Sequence, residues 1–252
     1  MFDALPPKLW TPPKPAIIRA ASLDDINRAM PLLGTFGAAS VRGFRSLGAS
    51  VARRSYIGRT VDTSNQTTYS FTSVYIGTAA ADRINVVCVG SAAAAGRSMS
   101  AAAIAGGSAS IIKDATNAGI NTSIIAAAVP TGTTATISVT YSAGCSGCFI
   151  DVYAMYGASI TPTATASTTA TPPSASLNID ARGVAFGCSG NNANNDCTWT
   201  GLAEDADAVY DSPFRGTSAS AEFATAQTGL TITADWATES FPCMVLASFP
   251  PA

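Results

Sequence analysis

The feature that most constrains the fold is an alternation of apolar and polar residues with a period of two, which begins after Tyr56. Residues 68–76 alternate in this way and are followed by Gly77, a pattern typical of a half-buried β-strand. Residues 83–89 form a short, Val-rich and almost entirely apolar run, which favours a central strand. Further strand patterns lie at residues 99–104, 109–113, 123–129, 135–141, 148–156, 176–186, 197–202, 218–225, 230–236 and 243–249.

The spacing of these patterns predicts the class of fold. Strands that follow one another every 8–15 residues or so, with turn residues such as those at 130–133 between them, are typical of an antiparallel β-sandwich or jelly roll. We therefore predict an all-β body over residues 56–252. Residues 159–176 are rich in Thr, Ala, Ser and Pro and predict a linker or a polar edge, near which the body could be subdivided. Because the two halves show no convincing repeat, one large sandwich is favoured over two.

Residues 1–55 do not continue the strand pattern. Five prolines in the first fifteen residues disfavour a helix and favour extended or polyproline conformation, and they are Pro6, Pro7, Pro12, Pro13 and Pro15. The segment has too little apolar content for a domain of its own. It is therefore predicted to be an extended arm that becomes ordered against a partner.

The charges divide sharply between the arm and the body. Residues 1–59 hold nine basic and three acidic side chains, a formal net charge of +6, whereas the remaining residues hold five basic and thirteen acidic ones, a net charge of −8. An acidic protein surface is the expected partner of such an arm, either on other subunits or on copies of the same chain. Direct binding of nucleic acid is the less favoured alternative, since the arginines lack regular spacing although phosphate contacts need little geometry.

The candidate partner-binding residues combine apolar anchors with basic side chains. An apolar anchor contributes about 1.5–3 kcal/mol when it is fully buried. The candidates are Trp10, Lys14, Ile17, Ile18, Arg19, Phe36, Arg53 and Arg54.

The chain has no His, which excludes Ser-His-Asp and Cys-His nucleophilic sites. It also removes the commonest general base and metal ligand. We therefore expect no enzymatic activity and no cofactor. The first residues lack the basic and apolar regions of a signal peptide, and no run of 18 apolar residues could span a bilayer, so no membrane partner is expected.

The six cysteines offer two patterns. Cys145 and Cys148 form a C-x-x-C motif, but it lies between strand patterns rather than at the start of a helix, where redox motifs work. Cys188 and Cys197 flank a loop-forming, Asn-rich tract and could form a disulfide that closes a short loop. Two buried free thiols are the alternative, and a zinc site is disfavoured by the spacing.

The densest acidic stretch, residues 204–211, offers a weak calcium candidate. Asp205, Asp207 and Asp211 could supply oxygen ligands, although they lack the glycine and the spacing of an EF-hand loop. A solvated loop is the simpler interpretation. The aromatic residues near this stretch are candidates for stacking on a glycan, namely Trp199, Tyr210 and Trp236.

Four stretches resemble one family of proteins. They are Lys-Pro-Ala-Ile-Ile-Arg at 14–19, Met-Pro-Leu-Leu-Gly-Thr-Phe at 30–36, Arg-Ile-Asn-Val-Val-Cys-Val at 83–89 and Val-Pro-Thr-Gly-Thr-Thr-Ala at 129–135. Together they resemble virion-associated structural proteins of tailed bacteriophages and prophages of alphaproteobacteria. The resemblance implies a β-sandwich body, a structural role and location in the virion, without fixing a position on the capsid, neck or tail. The two cysteine patterns are not part of the resemblance.

These observations lead to two functional hypotheses. In the first, the arm anchors the chain to neighbouring capsid, neck or tail subunits and the body is displayed as a decoration or appendage. In the second, the body is a carbohydrate- or receptor-binding module of a tail fibre or spike, with a glycan of the host surface as its partner. A glycan hydrolase built on Asp and Glu is disfavoured.

Overall fold

The computed structural model describes residues 50–252, and within them the protein consists of β-strands joined by turns, without a helix. The all-β class is thereby confirmed. The predicted arm lies outside the described residues except for its last few positions, and so do the candidates Trp10, Lys14, Ile17, Ile18, Arg19 and Phe36.

The N-terminal half of the body, residues 50–156, contains nine strands in two antiparallel sheets. One sheet has the order β1-β9-β3-β7-β6 and the other the order β2-β8-β4-β5. The strands are β1 Arg53–Asp62, β2 Gln66–Tyr75, β3 Ile84–Ala92, β4 Met99–Ile104, β5 Gly107–Ser108, β6 Ser110–Asn117, β7 Ile120–Ala128, β8 Thr134–Cys145 and β9 Gly147–Tyr156.

The C-terminal half of the body, residues 157–252, contains eight strands, also in two antiparallel sheets. The orders are β10-β17-β12-β15-β14 and β11-β16-β13. The strands are β10 Ala164–Thr168, β11 Ser174–Ile179, β12 Val184–Asn191, β13 Cys197–Thr200, β14 Ala203–Asp211, β15 Phe214–Glu222, β16 Gln227–Trp236 and β17 Cys243–Phe249.

The two halves repeat one topology. If β5 is set aside, the strands of the N-terminal half correspond in chain order to β10–β17, and both sheet orders then match strand for strand. In each half the first strand pairs with the last and the second with the last but one, the winding of a jelly roll. This repeat of topology lies within one compact body, residues 49–252, and was not evident as a repeat of sequence. The two halves share topology while their side chains differ, so a search for similar residues missed the duplication.

The four sheets are stacked as layers with three apolar cores between them. One core lies inside each half, and the third lies between the five-stranded sheets of the two halves. On β3, Val87 and Val89 face the core of the N-terminal half, whereas Val86 and Cys88 face the C-terminal half. Every residue of β3 is consequently buried, which explains why this strand has a continuous apolar sequence instead of an alternating one.

The halves meet with approximate symmetry at their central strands. The thiol of Cys88 donates to the carbonyl oxygen of Gly187 (3.6 Å), and the thiol of Cys188 donates to that of Val89 (3.5 Å). Each cysteine is the fifth residue of its strand. Equivalent positions of β3 and β12 therefore face one another across the central core.

The ring of Phe149 fixes how closely the halves approach. A Cβ atom placed on Gly90, its partner on β3, or on Gly216, from the opposite half, would lie 2.1 Å from the ring. Both glycines are needed for this packing because any side chain would overlap the ring. Tyr210 covers the ring with centroids 5.0 Å apart.

We expect Gly216→Ala to lower the free energy of unfolding by about 1–3 kcal/mol through overpacking against Phe149. Gly107→Ala is the matched control, since its Cβ would meet no atom closer than 3.7 Å. Urea unfolding followed by Trp fluorescence measures both. In a Phe149→Leu background, Gly216→Ala should cost less free energy of unfolding than it does in the native protein. An equal cost in both backgrounds would contradict the proposed contact.

Four strands were not predicted, among them the two-residue β5, and one predicted strand is divided. Strand β1 begins at Arg53, inside the predicted arm, and β10 lies inside the predicted linker. The acidic stretch predicted as a solvated loop forms β14. Residues 176–186 contain a turn after Ile179, so β11 ends and β12 begins within them.

Candidate functional site

The first described residues and β1 are bound to both halves of the body. Before the strand, the backbone N–H of Ala52 donates to the carbonyl of Arg182 (2.9 Å), and the hydroxyl of Ser50 bonds to the carbonyl of the C-terminal Ala252. The root of the arm therefore lies beside the end of the chain.

Arg54 ties β1 to the C-terminal half. Its guanidinium contacts Asp205 at 3.2 Å and donates to the carbonyl of Ser220, and its backbone N–H donates to the carboxylate of Glu222 at 2.8 Å. Arg53 is exposed on the same strand. Two of the predicted partner-binding residues thus belong to the body, and Arg54 is occupied by contacts within its own chain.

A buried ion pair follows on β1. Two nitrogens of Arg59 contact the two carboxylate oxygens of Asp151 at 2.8 and 2.5 Å, and a third donates to the carbonyl of Gly216 in the opposite half. Burial would lower the pKa of Arg59, but the hydrogen bond to Asp151 and its charge outweigh burial and raise it. This bidentate geometry holds the guanidinium charged between the two halves.

The same interface buries a hydroxyl network. Tyr153 donates to Asp205 at 3.1 Å and lies 2.9 Å from the hydroxyl of Ser218, and Ser220 also bonds to Asp205. Burial raises the pKa of Tyr153 well above its ordinary value, with nearby Cys88 and Asp205 adding to the effect. The Tyr153 phenol is therefore a structural donor that stays protonated near neutral pH.

The predicted disulfide between Cys188 and Cys197 is not formed. Both residues are free thiols. Cys188 faces the central core between the halves, whereas Cys197 belongs to the inner core of the C-terminal half. The sheet that contains β12 separates the two side chains, so sequence proximity does not bring the sulfur atoms together.

The C-x-x-C motif spans the turn between β8 and β9. Cys145 and Cys148 are both buried, free thiols. Burial raises the pKa of each, only partly offset by hydrogen bonds to Ser91 and Tyr141 respectively. Protonated and inaccessible thiols are poor nucleophiles, so this geometry does not provide the setting of a redox motif.

The predicted glycan-stacking residues are core residues. Trp199, Tyr210 and Trp236 are 9%, 3% and 3% exposed. The two indole nitrogens donate to Thr217 and Ser189 inside the C-terminal half. Rings that face the interior cannot stack on an external sugar, and this part of the glycan hypothesis is wrong.

The weak calcium candidate is also corrected. Asp205 is paired with Arg54, and Asp207 accepts two bonds from Arg215 at 2.7 and 3.1 Å. Asp211 sits at the end of β14 rather than in a loop with the others. Within residues 50–252 no group of three or more Cys, Asp or Glu side chains has the arrangement of a metal site.

A groove lies between the edge strands β1 and β2, and we call it the tyrosine groove. Its main part has a volume of about 510 Å³, and an adjoining part of about 270 Å³ shares Ile57 and Tyr75 with it. The lining residues are Ser55, Tyr56, Ile57, Gly58, Arg59, Thr60, Thr72, Ser73, Val74, Tyr75, Gly77, Thr78 and Tyr156.

Tyr75 and Tyr156 line the groove, whereas the ring of Tyr56 packs on Tyr153 in the core between the halves, with ring centroids 5.3 Å apart. Tyr75 is half exposed, and the hydroxyl of Tyr156 donates to the carbonyl of Thr78 at 3.0 Å. Tyr56 donates to Asp151 at 3.3 Å, and burial raises its pKa, with the charge of Asp151 adding to the effect. The lining mixes aromatic and aliphatic side chains with hydroxyl groups, a surface that suits a proline-rich ligand.

Sequence reasoning missed the tyrosine groove. Tyr56 lies in the strand that was not predicted, and Tyr156 is brought to the groove by its pairing opposite the start of β1. The signals in the sequence were Tyr75 and Tyr156, each at the end of a predicted strand.

No family model matches this chain, and a search of curated proteins found no significant match. Of the described residues, none forms a helix that could cross a membrane.

Proposed function

We propose that this chain is a non-enzymatic structural protein of a tailed-bacteriophage virion. In this proposal residues 1–49 form an anchor that binds neighbouring capsid, neck or tail subunits or further copies of the chain. The duplicated β body is displayed on the particle as a decoration or appendage. The short stretches that resemble phage virion proteins support this assignment, together with the basic, proline-rich sequence of the arm.

The observation that carries the proposal is the attachment of β1 to both halves. An anchor transmits load only if its root is held firmly by the body that it carries. Arg54 and Arg59 bind β1 to the C-terminal half through Asp205 and through the carbonyl of Gly216, while the strand itself pairs with β9 of the N-terminal half. A pull on residue 50 would therefore act on both sandwiches at once.

Deleting residues 2–49 should abolish incorporation into particles while leaving the body folded. The deletion stops before Ser50 because Ser50 and Ala52 bond to the body. The amount of this chain relative to the major capsid protein in purified particles is the measurement, and we expect a fall of at least about tenfold, equivalent to about 1.4 kcal/mol of binding. Far-UV circular dichroism of the purified variant checks the fold.

A finer comparison separates apolar from electrostatic anchoring. Ile17→Ser with Ile18→Ser removes two apolar anchors at unchanged charge, whereas Lys14→Ser with Arg19→Ser removes two charges. If burial supplies most of the affinity, the first pair should reduce incorporation more than the second, since buried Ile contributes more than a screened surface charge. Full occupancy of particles by the deletion variant would overturn the proposal.

A further inference from the structure

We propose that the tyrosine groove is the docking site of the proline-rich segment of the arm, residues 12–19 of this chain. This inference rests on the proposed role of the arm as an anchor and names the surface that the arm recognises. Every copy of the chain carries this groove. Binding of the arm of one copy to the groove of another would therefore join the two copies.

The first argument is that the fold itself does not require the tyrosines. Strands β10 and β11 occupy the positions of β1 and β2 in the C-terminal half, and neither contains an aromatic residue. The duplicated topology is therefore stable without aromatic side chains at this edge. Tyr75 is 50% exposed, so its ring contributes little to the core and is available to a ligand.

The second argument is the chemistry of the lining. The groove presents tyrosine rings, Ile57, Val74 and small hydroxyl side chains. It also includes Arg59, whose guanidinium is paired with Asp151, and it contains no Asp, Glu, Asn or Gln. Sugars are usually held by such carboxylates and amides in addition to an aromatic platform. A polyproline segment needs fewer polar partners, because it docks its rings between aromatic side chains and brings a preformed, low-entropy backbone.

The third argument is the match with the arm. Residues 12–15 read Pro-Pro-Lys-Pro and are followed by Ala-Ile-Ile-Arg, so the segment carries prolines, apolar side chains and two positive charges without an acid. Asp82 is exposed and accepts from the backbone N–H next to Tyr156, and Asp62 ends β1 beyond the other end of the groove. Carboxylates thus lie near both ends of the groove, and the charge of Arg59 between them is paired with Asp151. In this proposal Lys14 also lies over a tyrosine ring.

The dimensions and the chain length are compatible. Six residues of β1 line the groove and extend over about 20 Å, a length that about six residues of polyproline conformation would cover. The described residues begin at Ser50, five residues before the groove begins. About 35 residues separate the segment from the groove, enough to reach the same copy or a neighbouring one, since an extended residue spans up to about 3.5 Å.

Photo-crosslinking of the full-length chain tests the proposal. Tyr75 is replaced by p-benzoylphenylalanine, which keeps an aromatic ring in the groove, and the adducts are mapped by mass spectrometry after irradiation. We expect the main adduct to join position 75 to the peptide that contains residues 12–19. Migration of the adduct as monomer or dimer then identifies whose arm is bound, and either result supports the proposal.

Two matched variants make the test decisive. The same crosslinker at Val209, an exposed position on the edge strand β14, should give no such adduct. Pro12→Ser with Pro15→Ser should reduce the adduct from position 75 by about five- to tenfold, as expected for the loss of two ring contacts.

The proposal is overturned if position 75 gives no adduct with the arm, or if the adduct survives the proline substitutions unchanged. A glycan that binds the purified protein and is lost with Tyr75→Ser, in the absence of an arm adduct, would assign the groove to a saccharide instead. None of these results decides whether the arm anchors the chain to the particle, because the arm can bind other virion proteins. The deletion of residues 2–49 tests that role separately.

Discussion

Raising the pH from 8 to about 10.5 should unfold the protein, because the native state buries cysteines that ionise readily in the unfolded chain. Burial raises the pKa of the thiols of Cys88, Cys148 and Cys197, and it raises that of Cys243 to about 11. A cysteine in the unfolded chain has a pKa of about 8.5. Between these values the unfolded state releases protons that the native state retains, so stability falls as the pH rises.

The sign and the size of this effect follow from proton linkage. Each of these thiols has a higher pKa in the folded than in the unfolded state. Its contribution to the free energy of unfolding is therefore fully present below pH 8.5 and is lost as the pH rises toward the folded-state pKa. Each such thiol costs about 1.4 kcal/mol per pH unit, so four of them cost about 5–6 kcal/mol per unit. Since whole domains are stable by about 5–15 kcal/mol, a rise of two units should be enough for unfolding.

Urea unfolding in the presence of a reductant, at several pH values from 7.5 to 10.5, measures the effect. Cys243→Ala should reduce the slope of stability against pH by up to about 1.4 kcal/mol per unit between pH 9 and 10. The loss of free energy of unfolding that Cys243→Ala causes at pH 7.5 measures the packing contribution of the side chain separately. A midpoint that does not change with pH up to 10.5 would contradict the prediction.

Replacing Arg59 by Met should destabilise the protein by about 3–5 kcal/mol, the usual cost of leaving a buried charge without its partner. Met retains much of the stem volume but offers no donor. The carboxylate of Asp151, which is 0% exposed, would then keep only the hydroxyl of Tyr56 at 3.3 Å. The carbonyl of Gly216 in the opposite half would also lose its donor, which loosens the contact between the halves.

The matched control is Arg53→Met, an exposed position on the same strand, where we expect a change within about 0.5 kcal/mol. The double variant Arg59→Met with Asp151→Asn removes the uncompensated charge and should recover a substantial part of the loss. Urea unfolding of Arg59→Met, of Asp151→Asn and of the double variant completes the cycle. If the double variant is as unstable as the sum of the single ones, the two residues do not act as a pair.

Much of the fold was accessible from the sequence because burial on one face or on both leaves a distinct pattern. The strands β2, β3, β4, β9 and β17 agree with the predicted segments to within three residues. Strand β14 was mistaken for a loop because its inward positions are Asp205 and Asp207. Carboxylates at such positions are stable only next to the guanidinium groups of Arg54 and Arg215, and these partners are distant in sequence or lie on another strand.

The candidate sites were less accessible than the fold. Trp199 and Trp236 were predicted to face a ligand, yet each has its indole N–H satisfied by a buried hydroxyl. The same residue types serve a core or a sugar site, and only their orientation distinguishes the two. Cys188 and Cys197 are close in sequence, but an intervening sheet separates them because successive strands of a sandwich cross between its layers.

The sequence alone determined the all-β class, the absence of histidine and the contrast between a basic N-terminal segment and an acidic remainder, because periodicity, residue types and charge are local properties. The tertiary structure decided that the body repeats one topology, that its cysteines are separate buried thiols, and that Tyr75 and Tyr156 line one groove. These properties depend on which strands become neighbours. Pairings such as that of Arg53 with Tyr156 join residues about a hundred positions apart, and no local pattern records them.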